Sequence, residues 1–475
     1  MRSRIFADEN RKWLTLAAVS VGLFMIMLDN TVVNVALPSI ERDLDAGLSE
    51  LQWIVTGYAL TFAALLLVGG KVADAYGRRL VFVIGIAVFT FASLLCGLSG
   101  SSEMLIGARV LQGAGAALMN PATLSLIAAA FPPRERGTAI GIWAGVSALA
   151  LAIGPLVGGL ITEHLNWNWI FFVNVPFGLA GIAASFVLIR ESRDETHERL
   201  DLPGLVTSGL GLFALTYALI EANTYGWTSP RIVGSFAFAA IALGVFVVLE
   251  RHQRAPMLQL ELFRNRTYAG ANLAMLLVSL SMFGVFFFVS LFMQNVLGYS
   301  AVQAGAAFLP MTILIILVAP IAGRTADRVG SRGLMTVGMT LIAIQLVLFS
   351  RLSIDASYWH LLPSLVIGGL GMALTMTPST AAATRAVPVD KAGVGSAVLN
   401  SARQVGGTMG IAVMGAIVAS QMGATYDPRS FTAGFQRALL VAAGIAAVGA
   451  IVAFTLVRGN EVADGADHVA PEPAA

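Results

Sequence analysis

Ten residues, Gly70-Lys71-Val72-Ala73-Asp74-Ala75-Tyr76-Gly77-Arg78-Arg79, return 253 positions later as Gly323-Arg324-Thr325-Ala326-Asp327-Arg328-Val329-Gly330-Ser331-Arg332, each copy between two long apolar runs. A chain that carries the same polar loop at the same depth in two apolar halves reads as a duplicated membrane bundle. Duplication of this kind is the signature of a carrier in which one bundle rocks against the other. A second pair agrees with the spacing. Gly113-x-Gly115 with Pro121 and Gly369-x-Gly371 with Pro378 lie 256 to 257 positions apart.

Charged residues make up 12% of the chain and hydrophobic ones 57%, whereas soluble domains are about 25% charged. Apolar runs near the 20-residue length of a membrane span, some of them shorter, fall at 14–36, 51–70, 81–98, 102–124, 140–161, 169–189, 203–220, 232–249, 271–293, 304–322, 334–349, 359–376, 394–418 and 438–456, fourteen in all. Lipid offers the backbone no hydrogen-bond partners, so every span is expected to be a helix and the fold all-α. The repeated loop follows the second and the tenth span. Spans 1 to 6 therefore match spans 9 to 14, and spans 7 and 8 form an inserted hairpin. The predicted divisions are a six-helix bundle at 1–190, the hairpin with charged linkers at 191–266, a second six-helix bundle at 267–458, and an acidic tail at 459–475 expected to be disordered. Trp13, Trp53, Trp167, Trp169, Trp227 and Trp359 fall at predicted span ends, as an aromatic belt would.

Of 29 Lys and Arg residues, 22 fall on the side of the N-terminus, five (Arg42, Arg231, Arg351, Arg429 and Arg437) fall in the opposite loops, and Arg109 and Arg403 lie inside spans. This bias predicts that both termini are cytoplasmic. The first apolar run exceeds 20 residues and contains Asp29, so it reads as an uncleaved helix rather than a secretory signal. A net charge of +2 gives no reason to expect nucleic acid. Cys96 is alone, and the five histidines lack metal-ligand spacing, so no disulfide, metal or cofactor is expected. None of the three lysines sits in a phosphate-binding loop, which leaves an ion gradient as the energy source. A membrane enzyme is disfavoured because no constellation of nucleophile, base and metal is visible.

Asp29 is the one carboxylate deep within a predicted span, and a charge there costs about 2.5 to 3.5 kcal/mol on insertion scales. It lies roughly 11 Å from the outer end of its helix at 1.5 Å per residue. Arg109 sits at a similar depth in the fourth span. Opposite charges at equal depth can pair, and protonating Asp29 would release Arg109. The alternative is a static ion pair that locks the two helices together. In the fifth span Gly141, Ala150, Gly154, Pro155, Gly158 and Gly159 give a face of small residues for close helix approach, with a bend at Pro155. In the repeated loop Gly70, Gly77, Gly323 and Gly330 permit tight turns, and Asp74 can accept from a helix N-terminus or an arginine. Candidates for a central cavity are Asn34, Tyr58, Gln112, Trp143, Gln294 and Asn400. Arg403, about nine residues into the thirteenth span, is either a functional charge or one that snorkels toward the cytoplasm.

These residues carry a resemblance. Leu28 through Pro38 is similar to the first-helix motif of the fourteen-helix drug/proton antiporters (EmrB/QacA type) of the major facilitator superfamily, and the repeated loop is similar to the family's motif A. Leu105 through Gly115, with Arg109, Gln112 and Gly113, resembles motif B. Gly141 through Gly159 resembles the antiporter motif C, with Ala150 where glycine is usual. Trp167-x-Trp169-Ile170-Phe171-x-x-Asn174-x-Pro176 and Asn400-x-x-Arg403-Gln404-x-Gly406-Gly407 resemble further signatures. The resemblance implies a major facilitator fold of 6 + 2 + 6 transmembrane helices in a bacterial inner membrane. It further implies a monomer that exports lipophilic, often cationic, small molecules in exchange for protons. Motif A would act as a latch, Asp74 with Arg78 and Asp327 with Arg332 holding the halves together in one access state. A dedicated cargo such as a siderophore, antibiotic, amino acid or lipid is the alternative. With no deep carboxylate in helices 9 to 14, monovalent or neutral cargo is expected.

Overall fold

The computed structural model describes residues 8–193, 201–253, 256–388, 391–422 and 427–458. Among them are fourteen helices long and apolar enough to cross a membrane: α1 (Asn10–Leu44), α2 (Leu48–Tyr76), α3 (Arg78–Gly97), α4 (Ser102–Ala130), α5 (Arg134–His164), α6 (Trp169–Leu188), α7 (Leu202–Tyr225), α8 (Pro230–His252), α9 (Arg266–Val296), α10 (Ala301–Val329), α11 (Ser331–Phe349), α12 (Tyr358–Arg385), α13 (Val394–Ala419) and α14 (Pro428–Leu456). The acidic tail 459–475 and the basic residues Arg2, Arg4, Arg199 and Arg254 lie outside the described residues. Most helices outrun their apolar stretches, because a helix continues through polar residues until its backbone is interrupted. Proline at the first position opens α14, where its missing N–H costs nothing.

The repeat is visible in the backbone. Gly77 (φ +117°) turns α2 into α3, and Gly330 (φ +83°) turns α10 into α11. Both are conformations that a side chain strongly disfavours. Helix packing repeats as well. A Cβ on Gly113 would strike the carbonyl oxygen of Tyr58, and one on Gly369 would lie 2.6 Å from that of Met311, which stands 253 positions after Tyr58. Likewise Gly115 and Gly371 would each sit 2.9 Å from the carbonyl oxygens of Gly85 and Gly338, again 253 positions apart. The α2/α3/α4 triplet and the α10/α11/α12 triplet are therefore packed in the same way, through backbone contacts that small residues permit.

We call the end at which α1 begins, where the two glycine turns also lie, the motif face, and the opposite end the far face. The first and last six helices meet on the far-face half. Gln294 Nε2 donates to Val35 O (2.9 Å) and Asn295 Nδ2 to Glu41 Oε2 (2.9 Å), joining α9 to α1. Gln52 Nε2 donates to Ile411 O (2.9 Å), joining α2 to α13. Gly159 rests on Ala301 and Gly305 on Pro155, while Val302 N donates to Glu163 Oε2 (2.8 Å), joining α5 to α10.

The α7–α8 hairpin lies against the seam between α2 and α13. Trp53 Nε1 of α2 donates to Glu221 Oε1 of α7 (3.0 Å), and Asn223 Nδ2 of α7 to Ala416 O of α13 (2.8 Å). Asp201 caps α7, accepting from Gly204 N at 2.7 Å, and its second oxygen accepts from Met257 N at 3.3 Å in the linker after α8. Burial opposes ionisation of this carboxyl, but those hydrogen bonds, with Gln253 and Glu250, outweigh it and hold Asp201 below the usual carboxylate range.

Two tryptophans depart from the expected belt. Trp13, Trp169, Trp227 and Trp359 are exposed. Trp167 is buried and donates to Asp43 Oδ2 (2.9 Å), and Trp53 is half-buried against the hairpin. An indole N–H in a protein interior takes a protein acceptor rather than interfacial water.

Candidate functional site

One polar cluster is sealed within the first six helices. α1 places Asp29 and α4 places Arg109, and their side chains are 0% and 1% exposed. Arg109 Nη1 donates to Asp29 Oδ2 (2.5 Å) and to Gln112 Oε1 (2.6 Å), and Arg109 Nε donates to Ile54 O of α2 (3.1 Å). Gln112, one turn further along α4, returns a bond from Nε2 to Asp29 Oδ1 (2.9 Å) and another to Ser93 Oγ of α3 (2.8 Å). Asn174 Nδ2 of α6 reaches the same hydroxyl at 3.4 Å. The guanidinium lies 4.2 Å from the centre of the Tyr58 ring, a cation–π seat beneath a planar cation. Both carboxylate oxygens of Asp29 are thus engaged, and charge is balanced within the cluster. A buried ion pair survives in low dielectric where its remaining hydrogen-bonding groups are also met.

α5 backs this cluster. Gly154 packs on Thr31 and Gly158 on Val32, two and three residues beyond Asp29, so any bulk here would push α1 away. Ala150 is fully buried. Pro155 and Gly159 face the start of α10, so this one helix touches α1 at the cluster and the second set of helices across the seam. Gly141 of the same stripe meets nothing within 4 Å and has no packing role.

The cavity candidates are scattered. Gln112 is fully buried in the cluster rather than on a cavity wall, and Tyr58 is 1% exposed beneath Arg109. Gln294 is tied to α1 as described. Trp143 donates to Thr123 Oγ1 (3.0 Å), and Asn34 and Asn400 each donate to a carbonyl one turn back (3.2 Å). Arg403 does not snorkel. Its Nε is buried and, among the described residues, lacks a hydrogen-bond partner, while Tyr58 of the first set lies near enough to feel its charge.

At the motif face Arg78 Nε donates to Asp74 Oδ1 (2.8 Å). The partner of Asp327 is Arg385 (2.6 Å), not Arg332, whose guanidinium sits 4.1 Å above the Phe454 ring instead. α11 points Arg332 toward α14, whereas Arg385 ends α12 beside Asp327. Neither ion pair joins the first six helices to the last six. Gly70 rests on Pro121 and Gly323 near Thr377. The N-terminus of α3 is capped by Glu191, which accepts from Arg79 N (3.0 Å) and Leu80 N (3.1 Å). Glu191, Ser93 and Arg385 escaped the sequence reasoning. Glu191 lies more than 100 positions from the helix it caps, and Ser93 is an ordinary residue in an apolar run.

A family model described as Major Facilitator Superfamily matches residues 19–411 and, again, 273–473. The tetracenomycin C resistance and export protein of Streptomyces glaucescens is 38% identical over 422 residues, covering 89% of this chain and 78% of that protein. The puromycin resistance protein pur8 of Streptomyces alboniger is 37% identical over 483 residues, covering 98% and 95%. Among solved structures, a bacterial homolog of the human lysosomal transporter Spinster, inward-facing and occupied, superposes with a TM-score of 0.67 at 18% identity, covering 96% of this chain and 98% of that one. At that identity the likeness concerns the fold.

Proposed function

We propose that this chain, which belongs to the major facilitator superfamily, exports lipophilic small molecules from the cell in exchange for protons, with Asp29 as the proton carrier. The observation that carries the reading is the sealed Asp29–Arg109–Gln112 cluster. Protonating Asp29 removes the anion facing Arg109 and leaves the guanidinium with neutral acceptors in a dry interior. That state is costly, and a change of conformation relieves it. With the carboxylate out of reach of water in the described state, proton exchange requires the helices around it to move. Gly154 and Gly158 link α1 to α5, and α5 to α10, so a shift at Asp29 is transmitted to the seam between the two sets.

Residues 1–190 and 267–458 are the two rocking bundles in this reading, and 191–266 is a hairpin that rides on their seam. The distribution of basic residues supports cytoplasmic termini in a bacterial inner membrane, which makes the motif face cytoplasmic. Closure on the far-face half is then the geometry of a carrier that loads cargo from inside. Both repeats lie in one chain, so a monomer suffices. Moving one proton through 100 mV releases about 2.3 kcal/mol, enough for a concentration ratio of about 50.

Electrostatics narrow the cargo. Asp29 is neutralised by Arg109, while Arg403 is a half-buried cation whose Nε is buried and which has no acid among its described partners, so neutral cargo is favoured over strongly cationic cargo. The antibiotic names of two relatives favour, as a second reading, a narrow range of related compounds. The test is dye efflux from energised vesicles with and without an uncoupler. Wild-type efflux should collapse with the uncoupler, and Asp29→Asn should show no gradient-driven component. Retained gradient-driven export in Asp29→Asn would remove the assignment.

A further inference from the structure

Apart from the buried cluster, the hairpin walls one side of a partly open chamber of about 450 Å³ on the motif-face half of the bundle. Ala64 of α2, Leu212 of α7, Phe246 of α8, Asn272 of α9, and Ser401 and Ala402 of α13 represent its walls. Its volume falls within the range of small-molecule sites, and no charged side chain lines it among the described residues.

Three polar side chains interrupt the apolar lining, and one of them, Ser208 of α7, is satisfied, its hydroxyl donating to Gly204 O (2.7 Å). Asn272 is 3% exposed, and its Nδ2 donates to Tyr268 O at 2.9 Å, while its Oδ1 accepts no hydrogen bond. Ser401 Oγ is likewise buried without a partner. Buried polar atoms are nearly always satisfied, and an orphaned acceptor carries its full desolvation cost. A ligand that brings a donor removes that cost. Asn272 lies about 9 Å along α9 from its motif-face end, at the start of the apolar run that spans 271–293.

We propose that this chamber binds an uncharged, mainly apolar molecule through one hydroxyl or N–H group that donates to Asn272 Oδ1, with Ser401 as a second polar contact. The hairpin is the outer wall of a binding site distinct from the Asp29 cluster. Binding here needs no proton movement, so the inference survives failure of the export reading.

The test is photolabelling of the full chain in lipid nanodiscs with an undecanol carrying a diazirine at its far end, beside a matched undecane probe. The alcohol should label peptides of α9 and α13, and excess undecanol should displace it. Asn272→Leu should lower alcohol labelling at least fivefold and leave undecane labelling unchanged. Ala402→Trp and Ala64→Trp, which fill the space from opposite walls, should abolish labelling by both probes. Displacement in the wild type needs no variant, so a misfolded substitution does not spoil the test. Labelling that undecanol cannot displace, or that is indifferent to Asn272→Leu, would overturn the proposal. So would a diazirine phosphatidylglycerol that labels the same peptides and resists undecanol, since the occupant would then be a membrane lipid.

Discussion

Asparagine at position 29 and glutamine at position 109, alone and together, separate an ion pair that merely clasps two helices from one that couples to protons. Asp29 accepts from Arg109 and Gln112 on separate oxygens. Asparagine keeps one acceptor and turns an NH₂ toward the other donor. Gln112 cannot reorient cheaply, because its Oε1 already serves Arg109. The larger loss is electrostatic: Asp29→Asn strands a buried guanidinium, and Arg109→Gln strands a buried carboxylate. Each should cost about 3 to 5 kcal/mol. The double variant buries no charge, and four-membered cycles of this kind should return a coupling energy on the order of 3 kcal/mol. Stability would be read by SDS titration in mixed micelles, and uncoupler-sensitive export would be measured with the same four proteins. If the pair carries protons, the double variant regains stability and stays uncoupled. Restored gradient-driven export in the double variant would refute the proton role, and strictly additive costs would refute the pairing itself.

Other substitutions probe the repeat and the linkers. Gly113→Ala and Gly369→Ala each drive a methyl group into a carbonyl oxygen of the neighbouring helix and should destabilise by about 1 to 3 kcal/mol in the same titration. Gly107→Ala, which meets open space, should be neutral or slightly stabilising. Alanine at Gly77 or Gly330 forces a side chain into positive φ at a cost of about 1 kcal/mol or more. The cost should be higher at Gly77, where the new Cβ would lie 2.8 Å from the Glu191 carboxyl carbon. Asp201 has a lowered carboxyl pKa, so its stabilising contribution is complete above the ordinary aspartate range, about 3.9, and fades as pH falls through its lower folded value. Unfolding followed across that acid window should therefore be steeper in the wild type than in Asp201→Asn.

Helix number and the Asp29–Arg109 pairing were legible in the sequence, because lipid leaves the backbone few options and makes each buried charge conspicuous. The repeat spacing located equivalent glycines whose backbone contacts coincide. Side-chain partners were less legible. Asp327 has several arginines within reach of its helix end, and the choice of Arg385 depends on how α12 leans on α10. Gln112 and Gln294 look alike in a hydropathy pattern, yet one is sealed in the cluster and the other joins two helices at the far face. Which face of a helix meets a cavity rather than a neighbour is set by tertiary packing. Trp167 went inward for the same reason, since Asp43 was there to accept its N–H.

The two sets share backbone geometry but not the buried ion pair, and in the proposed reading that asymmetry has a physical use. At the offsets that map Tyr58 to Met311 and Gly85 to Gly338, Ser93 falls on Leu346; at the offset that maps Gly113 to Gly369, Arg109 falls on Leu365 and Gln112 on Gly368. Every member of the cluster drawn from α2, α3 and α4 thus has an apolar counterpart in α10, α11 and α12. A second buried cluster would add another insertion penalty of about 2.5 to 3.5 kcal/mol per charge. It would also respond to protons on both sides of the pseudo-symmetry, blunting any preference for one conformation. In the proposed reading, protonating the Asp29–Arg109 pair would change the energy of one set against a partner set that holds no buried ion pair of this kind among the described residues, and would bias the equilibrium between access states.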